Sequence, residues 1–145
     1  MSSNERYRNE WKYLIDTAQK ELICRRLDPM LKLDKHAQSG GYMLRSLYFE
    51  DYYKSSYEEK DAGVLKRKKY RIRIYNCSDS NIKLERKKKY GAYIFKEAAS
   101  LTRDEVYKIL DGDYEFLLHS DKSLCREFYV ECVILHKLPE KILLL

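Results

Sequence analysis

Polar and apolar residues alternate with period two over residues 67–75: Arg67, Lys69, Arg71 and Arg73 fall on one face of an extended strand, and Tyr70, Ile72 and Ile74 on the other. The pattern returns over residues 82–90, where Lys83, Glu85, Lys87 and Lys89 share a face. Between them Asn76-Cys-Ser-Asp-Ser-Asn81 is turn-forming, so the two stretches predict an antiparallel hairpin. Residues 6–16 alternate too, with Arg8, Glu10 and Lys12 on one face and Tyr7, Trp11 and Tyr13 on another. Residues 42–51 are rich in strand formers and carry one cation, Arg45, in an apolar and aromatic setting. Helical spacing predicts a helix over 17–33, capped by Asp16 or Thr17 and interrupted by Pro29. A second spans 53–62 and closes on Gly63, and a third spans 102–110, where Thr102 and Glu105 have the spacing of a capping box. Residues 114–119 and 120–135 read as further helix, with Glu127 and Glu131 outward beside Phe128, Val130 and Val133. Gly91 precedes a short segment, 92–96, in which Lys96 either extends the charged surface or is solvated. The loop at 38–41 marks a turn, and the apolar run at 141–145 reads as an element cut short.

Charge sharpens this picture. Lysine and arginine number 29 against 23 acids, a net charge of +6 over 145 residues, and the two alternating strands concentrate the excess. Same-face neighbours on a strand stand about 7 Å apart, so adjacent cations repel by about 0.6 kcal/mol in water and about 2.4 kcal/mol at an effective dielectric of about 20. Such a ladder belongs either on a solvated face or in a groove whose occupant is a polyanion. Periodicity does not say which. Length fits one domain, and with charged residues at 36% but only 5 Gly and 2 Pro, the composition points to regular structure.

Several chemistries are excluded. Gly40-Gly41 stands alone and no phosphate-cradling glycine motif occurs. His36, His119 and His136 are far apart, in no metal-binding or nucleophile-activating pattern. Cys24, Cys77, Cys125 and Cys132 are scattered, which suits free thiols in a reducing compartment. Neither a signal peptide nor a membrane-spanning run is present, so the expected location is cytoplasmic. The 14 tyrosines lie mostly on strands, where packing accounts for them better than base stacking.

Taken in order, Arg8-Asn-Glu-Trp-Lys-Tyr-Leu-Ile15, Leu44-Arg-Ser-Leu-Tyr-Phe-Glu-Asp51, Tyr57-Glu-Glu-Lys60 with Gly63, Lys69-Tyr-Arg-Ile-Arg-Ile-Tyr75 and Leu84-Glu-Arg-Lys-Lys-Lys89 resemble the bacterial VTC-type polyphosphate polymerase domain of the triphosphate tunnel metalloenzyme superfamily. The match in order and spacing runs over about residues 6–110. The resemblance implies an α+β fold, a partial antiparallel β-barrel enclosing a polar tunnel with flanking helices, and turns the ladders inward. It also implies an ATP-dependent phosphotransferase that lengthens polyphosphate, with ATP and polyphosphate as partners. Carried over by motif, Lys12, Arg45, Lys69, Arg71, Arg73, Lys87 and Lys89 would hold phosphate oxygens, Arg71, Arg73 and Lys87 would be catalytic, and Glu10 and Glu85 would orient the cations. Positioning and charge neutralisation suffice for phosphoryl transfer, so no protein nucleophile is required. A divalent metal, Mg or Mn, is expected, its ligand lying beyond this chain. Arg8 stands where the related triphosphatases have the first acid of an ExExK strand, which makes hydrolysis of small triphosphates the weaker reading. The chain stops near the midpoint of the family domain or slightly beyond, and is expected to be a fragment, a truncated form or a half that pairs with a second chain, incomplete as a catalyst alone. The alternatives are a non-catalytic polyphosphate-binding module and, with the ladders outside, a nucleic-acid-binding one.

Overall fold

The hairpin of β3 (Lys66–Tyr75) and β4 (Ser78–Tyr90) is the centre of the sheet. In the computed structural model, which describes residues 7–34 and 41–139, β4 begins two residues after β3 ends. The turn is therefore Asn76-Cys77 alone, not a loop of 76–81. Both residues have positive φ, 50° and 54°, as a type I′ hairpin turn demands. Asn76 adopts it readily and also ties it down: its Oδ1 accepts from the Met43 amide at 2.9 Å and its amide donates to the Met43 carbonyl. The extra residues of β4 are absorbed where its register against β3 shifts, between Arg73 and Tyr75.

On one side β3 pairs with β2 (Leu44–Glu50), and on the other β4 pairs with β5 (Tyr93–Leu101), all antiparallel. Two-residue strands stand at the edges, β1 (Arg8–Asn9) on β5 and β6 (Leu138–Pro139) on β2. The sheet order β1-β5-β4-β3-β2-β6 is open, which corrects the expected barrel. Closure needs edge strands long enough to zip together at a consistent stagger, and two residues at each edge offer no such ladder.

Two further expectations change. The strand over 6–16 is regular only at Arg8–Asn9, residue 6 lying outside the described residues. The short segment 92–96 is instead the nine-residue β5, although Glu97-Ala-Ala-Ser is poor in strand formers. Pairing along β4 from Tyr90 to Ile82 overrides that weak preference. The loop residues 38–40 and the run at 141–145 also lie outside the described residues.

Connections carry the helices. α1 (Thr17–Leu27) belongs to a separate compact unit within Glu10–Tyr42. Its N-terminus is closed reciprocally: the Asp16 carboxylate accepts from the Gln19 amide at 2.8 Å, and the Gln19 side chain accepts from the Asp16 amide at 3.0 Å. It stops before Pro29, which has no amide hydrogen to extend the helix, and does not reach residue 33. In the other unit, α2 (Ser55–Asp61) links β2 to β3. After β5 come α3 (Arg103–Leu110), capped by Thr102 and Glu105, then α4 (Glu115–Leu118) and α5 (Ser123–Val133).

These last helices bury one face of the sheet. Phe49, Tyr70, Ile72, Leu84 and Ala99 from the strands meet Ile109, Leu117, Leu124 and Phe128 from the helices. Phe128, fully buried, stands edge-on to Phe49 at 4.9 Å and tilted against Tyr70 at 5.3 Å. On α5 the polarity differs from expectation. Glu131 is buried at 3% exposure, whereas Val130 and Val133 are about two-fifths exposed. We expect Phe128→Ala to lower the unfolding free energy by about 3–5 kcal/mol in urea titration, since it empties the contact between sheet and helices.

Candidate anion-binding site

The register turns the two alternating strands into one charged surface. Arg67 lies opposite Lys89, Lys69 opposite Lys87, and Arg73 opposite Lys83, so three of the four same-face pairs set cation against cation. Side chains directly opposed across antiparallel strands have Cβ atoms about 5 Å apart, where like charges repel by about 0.8 kcal/mol in water and about 3.3 kcal/mol at a dielectric of about 20. Lys96 on β5 opposes Lys87 and widens the surface. The face opposite the helices is thus a cationic ladder.

One pair breaks the pattern, Arg71 opposite Glu85. Arg71 donates from Nε to Glu85 Oε2 at 2.7 Å and from Nη1 to the Tyr48 hydroxyl at 3.0 Å, with its guanidinium 5.9 Å from the Tyr48 ring centre. Arg73 Nη1 reaches the same Glu85 oxygen at 3.7 Å, while its Nε donates to Ser46 Oγ at 3.2 Å. Glu85 therefore holds both arginines side by side. All three side chains are less than one-fifth exposed. Burial works against the Arg71 charge, but the bonds to Tyr48 and Glu85 outweigh it and raise its pKa. The guanidinium stays charged and fixed in direction, as recognition of phosphate oxygens requires.

Lys69, Arg71, Arg73, Lys87, Lys89 and Glu85 are thus brought onto one face. Arg45 is not. It lies opposite Ile74 in the β2–β3 register, shares a face with Leu47 and Phe49, and lines a cavity of about 530 Å³ with Val106, Tyr107 and Leu110 of α3. This separates it from the other residues expected to hold phosphate: a residue two and four positions from half-buried Leu47 and buried Phe49 shares their side of the strand. Glu10 and Lys12 belong to the separate unit, where they pair with each other at 3.6 Å, the lysine side chain 82% exposed. Ser46 and Tyr48, which orient the arginines, carry no charge to mark them in the sequence, although the alternation of 44–50 does place them opposite Leu47 and Phe49.

Behind the ladder, on the helix side, Arg86 is buried at 1% exposure. It donates to Glu97 at 2.7 Å from Nε, to the Tyr70 hydroxyl at 3.2 Å, and pairs with Glu127 of α5. Its charge is maintained against burial by Glu127, Tyr70 and Glu97, while burial pushes the Tyr70 phenol up to about 12. Glu131 is held nearby by Lys68. Glu131, expected outward, is buried, whereas Glu127 is exposed as expected; both fasten α5 to the hairpin.

Among the described residues no three His, Cys, Asp or Glu side chains gather as a metal site. Glu85, the carboxylate of the β3–β4 ladder, has its Oε2 engaged by Arg71 and Arg73. The ladder residues do not fit a divalent ion held by protein ligands.

A family model described as the VTC domain matches residues 7–138. The chain belongs to the VTC domain family. That domain is the one of the triphosphate tunnel polyphosphate polymerases. No curated protein matches the chain. Among the described residues of this VTC-domain protein, no helix is long and apolar enough to cross a membrane.

The Arg86 cluster has a pH signature. A hydrogen bond from Arg86 holds the Glu127 carboxyl below its ordinary value of 4.5. A depressed folded-state pKa contributes stability that is present above the unfolded value and lost as pH falls through the folded one. Melting temperature is therefore expected to drop as pH falls below about 4.5, and Glu127→Gln should be less stable at pH 7 with a flatter acid limb. An acid limb identical to wild type would show that the pair contributes nothing to stability.

Proposed function

We propose that this VTC-domain protein binds inorganic polyphosphate and the triphosphate of ATP along the ladder of β3 and β4, as the phosphate-holding part of a polyphosphate polymerase. The observation that carries the reading is the opposition of cation to cation at three of four same-face levels of one hairpin, the remaining level setting Arg71 against Glu85. A polyanion with a charge at every unit is the ligand class that neutralises such a run. Family membership supports polyphosphate as that polyanion.

The residues take distinct parts. Lys69 and Lys89 hold chain oxygens as point charges, while Arg71 and Arg73, pre-oriented by Glu85, Tyr48 and Ser46, offer planar donor pairs. Lys87 lies across from Lys69, next to Glu85 along β4 on the same face. In the transfer, a terminal oxygen of the chain attacks the γ-phosphorus of ATP in line, the bond from γ-phosphorus to the bridging oxygen breaks, and ADP departs with that electron pair. Arg71, Arg73 and Lys87 neutralise charge on the equatorial and leaving oxygens, and no covalent enzyme intermediate is needed. Lys12 with Glu10 enters this proposal on family resemblance alone, and Arg45, on the other face, leaves it.

A second reading, binding without turnover, is favoured by the absence of a metal ligand set on the ladder. Calorimetric titration with tripolyphosphate at fixed physiological salt tests the common part. Saturable binding is expected, weakened about a hundredfold or more in Arg71→Ala/Arg73→Ala, because charge-assisted hydrogen bonds contribute about 1.5–3 kcal/mol each. Unchanged binding in a variant shown by circular dichroism to be folded would sink the site. ADP release coupled to growth of polyphosphate separates the polymerase from the binder. Tighter binding of long RNA than of tripolyphosphate, falling steeply with salt, would return the ladder to nucleic acid.

A further inference from the structure

The ladder does not end on its own face. At the open end of the β3–β4 hairpin, the opposed pair Arg67 and Lys89 lines a cavity of about 830 Å³ that is also lined by residues of the reverse face, Lys66, Lys68 and Lys88. Lys68 and Lys88 are themselves directly opposed, a further cation pair at the same end of the hairpin. With Arg86, six cations therefore line it. Of the acids that line the cavity, Glu127 pairs with Arg86 and Glu59 is the other; Lys68 is paired with Glu131 and Lys88 Nζ stands 3.9 Å from Glu97, so the cations have partners of their own but still outnumber the acids at this end. Tyr7, Tyr90 and Tyr93 complete the wall and bring hydroxyl groups suited to phosphate oxygens.

Length gives this cavity a use. From Arg73 to Arg67 the ladder rises about 20 Å, six residues at about 3.3 Å each. A triphosphate covers only part of that distance. A long chain lying along the ladder runs out at Arg67 and Lys89, where the cavity begins. We infer that this cavity is a second anion subsite, which takes the continuation of a long polyphosphate chain over the end of the sheet and so favours long chains over short ones. The inference rests on the proposed ladder site but places new residues, Lys66 and Lys88, in contact with the ligand. Lys68 is left out of the test because removing it would strand the buried Glu131 carboxylate.

Binding of tripolyphosphate and of polyphosphate several tens of units long is compared for wild type, Lys66→Ala/Lys88→Ala, and the charge-matched control Lys20→Ala/Lys32→Ala, each checked by circular dichroism. The lysine pair of the cavity is expected to weaken long-chain binding about three- to tenfold, and to lower the slope of log K against log salt by about 1–2, while tripolyphosphate affinity and the control stay unchanged. Should Lys66→Ala/Lys88→Ala unfold, Lys66→Glu alone, at an exposed position, makes the same comparison. Equal loss for both ligands, equal loss in the control, or no loss for long chains overturns the subsite. If wild type binds long chains through Lys66 and Lys88, yet tripolyphosphate not at all and with no effect of Arg71→Ala/Arg73→Ala, the ladder reading fails and the cavity stands as a site by itself.

Discussion

Arg67 faces Lys89, Lys69 faces Lys87 and Arg73 faces Lys83, and nothing between those side chains favours their meeting. They are held together by the other side of the same two strands. Tyr70, Ile72 and Leu84 are buried against Phe128, Ile109 and Leu117, and alternation on a strand means that fixing one set fixes the other. A slip of one residue in the hairpin would relieve the repulsion only by driving lysines and arginines into the apolar layer. Each side chain such as Ile72 or Leu84 contributes about 1.5–3 kcal/mol by burial, more than the roughly 0.8 kcal/mol lost at a solvated cation pair. The apolar face wins, and the cationic face follows.

Two acids on β4 and β5, on opposite faces, then decide what the arginines do. Glu85 stands among the cations and binds Arg71 and Arg73 from the side, so their outward edges remain oriented without being consumed. Glu97 stands on the helix face and, with Glu127, neutralises Arg86 completely enough for it to be the largest fully buried side chain. The same residue type is thus left oriented on the open face at Arg71 and Arg73 and spent on attaching α5 at Arg86. The difference lies in how many carboxylates each guanidinium meets.

The hairpin and its two faces were legible in the sequence because charge and apolarity alternate over residues 69–75 and 82–85. Arg45 stands on the other face from the ladder, and its own alternation carried that placement: Leu47 and Phe49 follow it at even spacing, and a single cation at the strand's end travels with them. On α5 Glu131 was taken as outward because it is charged, while the stripe of Leu124, Cys125, Phe128 and Cys132 includes its position at helical spacing. Its partner, Lys68, lies 63 positions earlier, and such pairings leave no local signal. β5 was hidden for a related reason. Glu97-Ala-Ala-Ser becomes strand only because β4 offers an edge along its whole length.

Openness of the sheet bears on the same electrostatics. An opposed cation pair that costs about 0.8 kcal/mol beside water costs about 3.3 kcal/mol when the effective dielectric falls to about 20, and attraction to a bound anion grows by the same factor. Three such pairs on an open face are tolerable in the ligand-free protein, at a total near 2.5 kcal/mol before side chains relax. Enclosed and empty, they would cost about 10 kcal/mol, comparable with the whole stability of a domain. Enclosure of this ladder would therefore be favourable only together with an anion. An element covering the face and a polyanion filling it would bind cooperatively, because each would lower the free energy of the other's arrival.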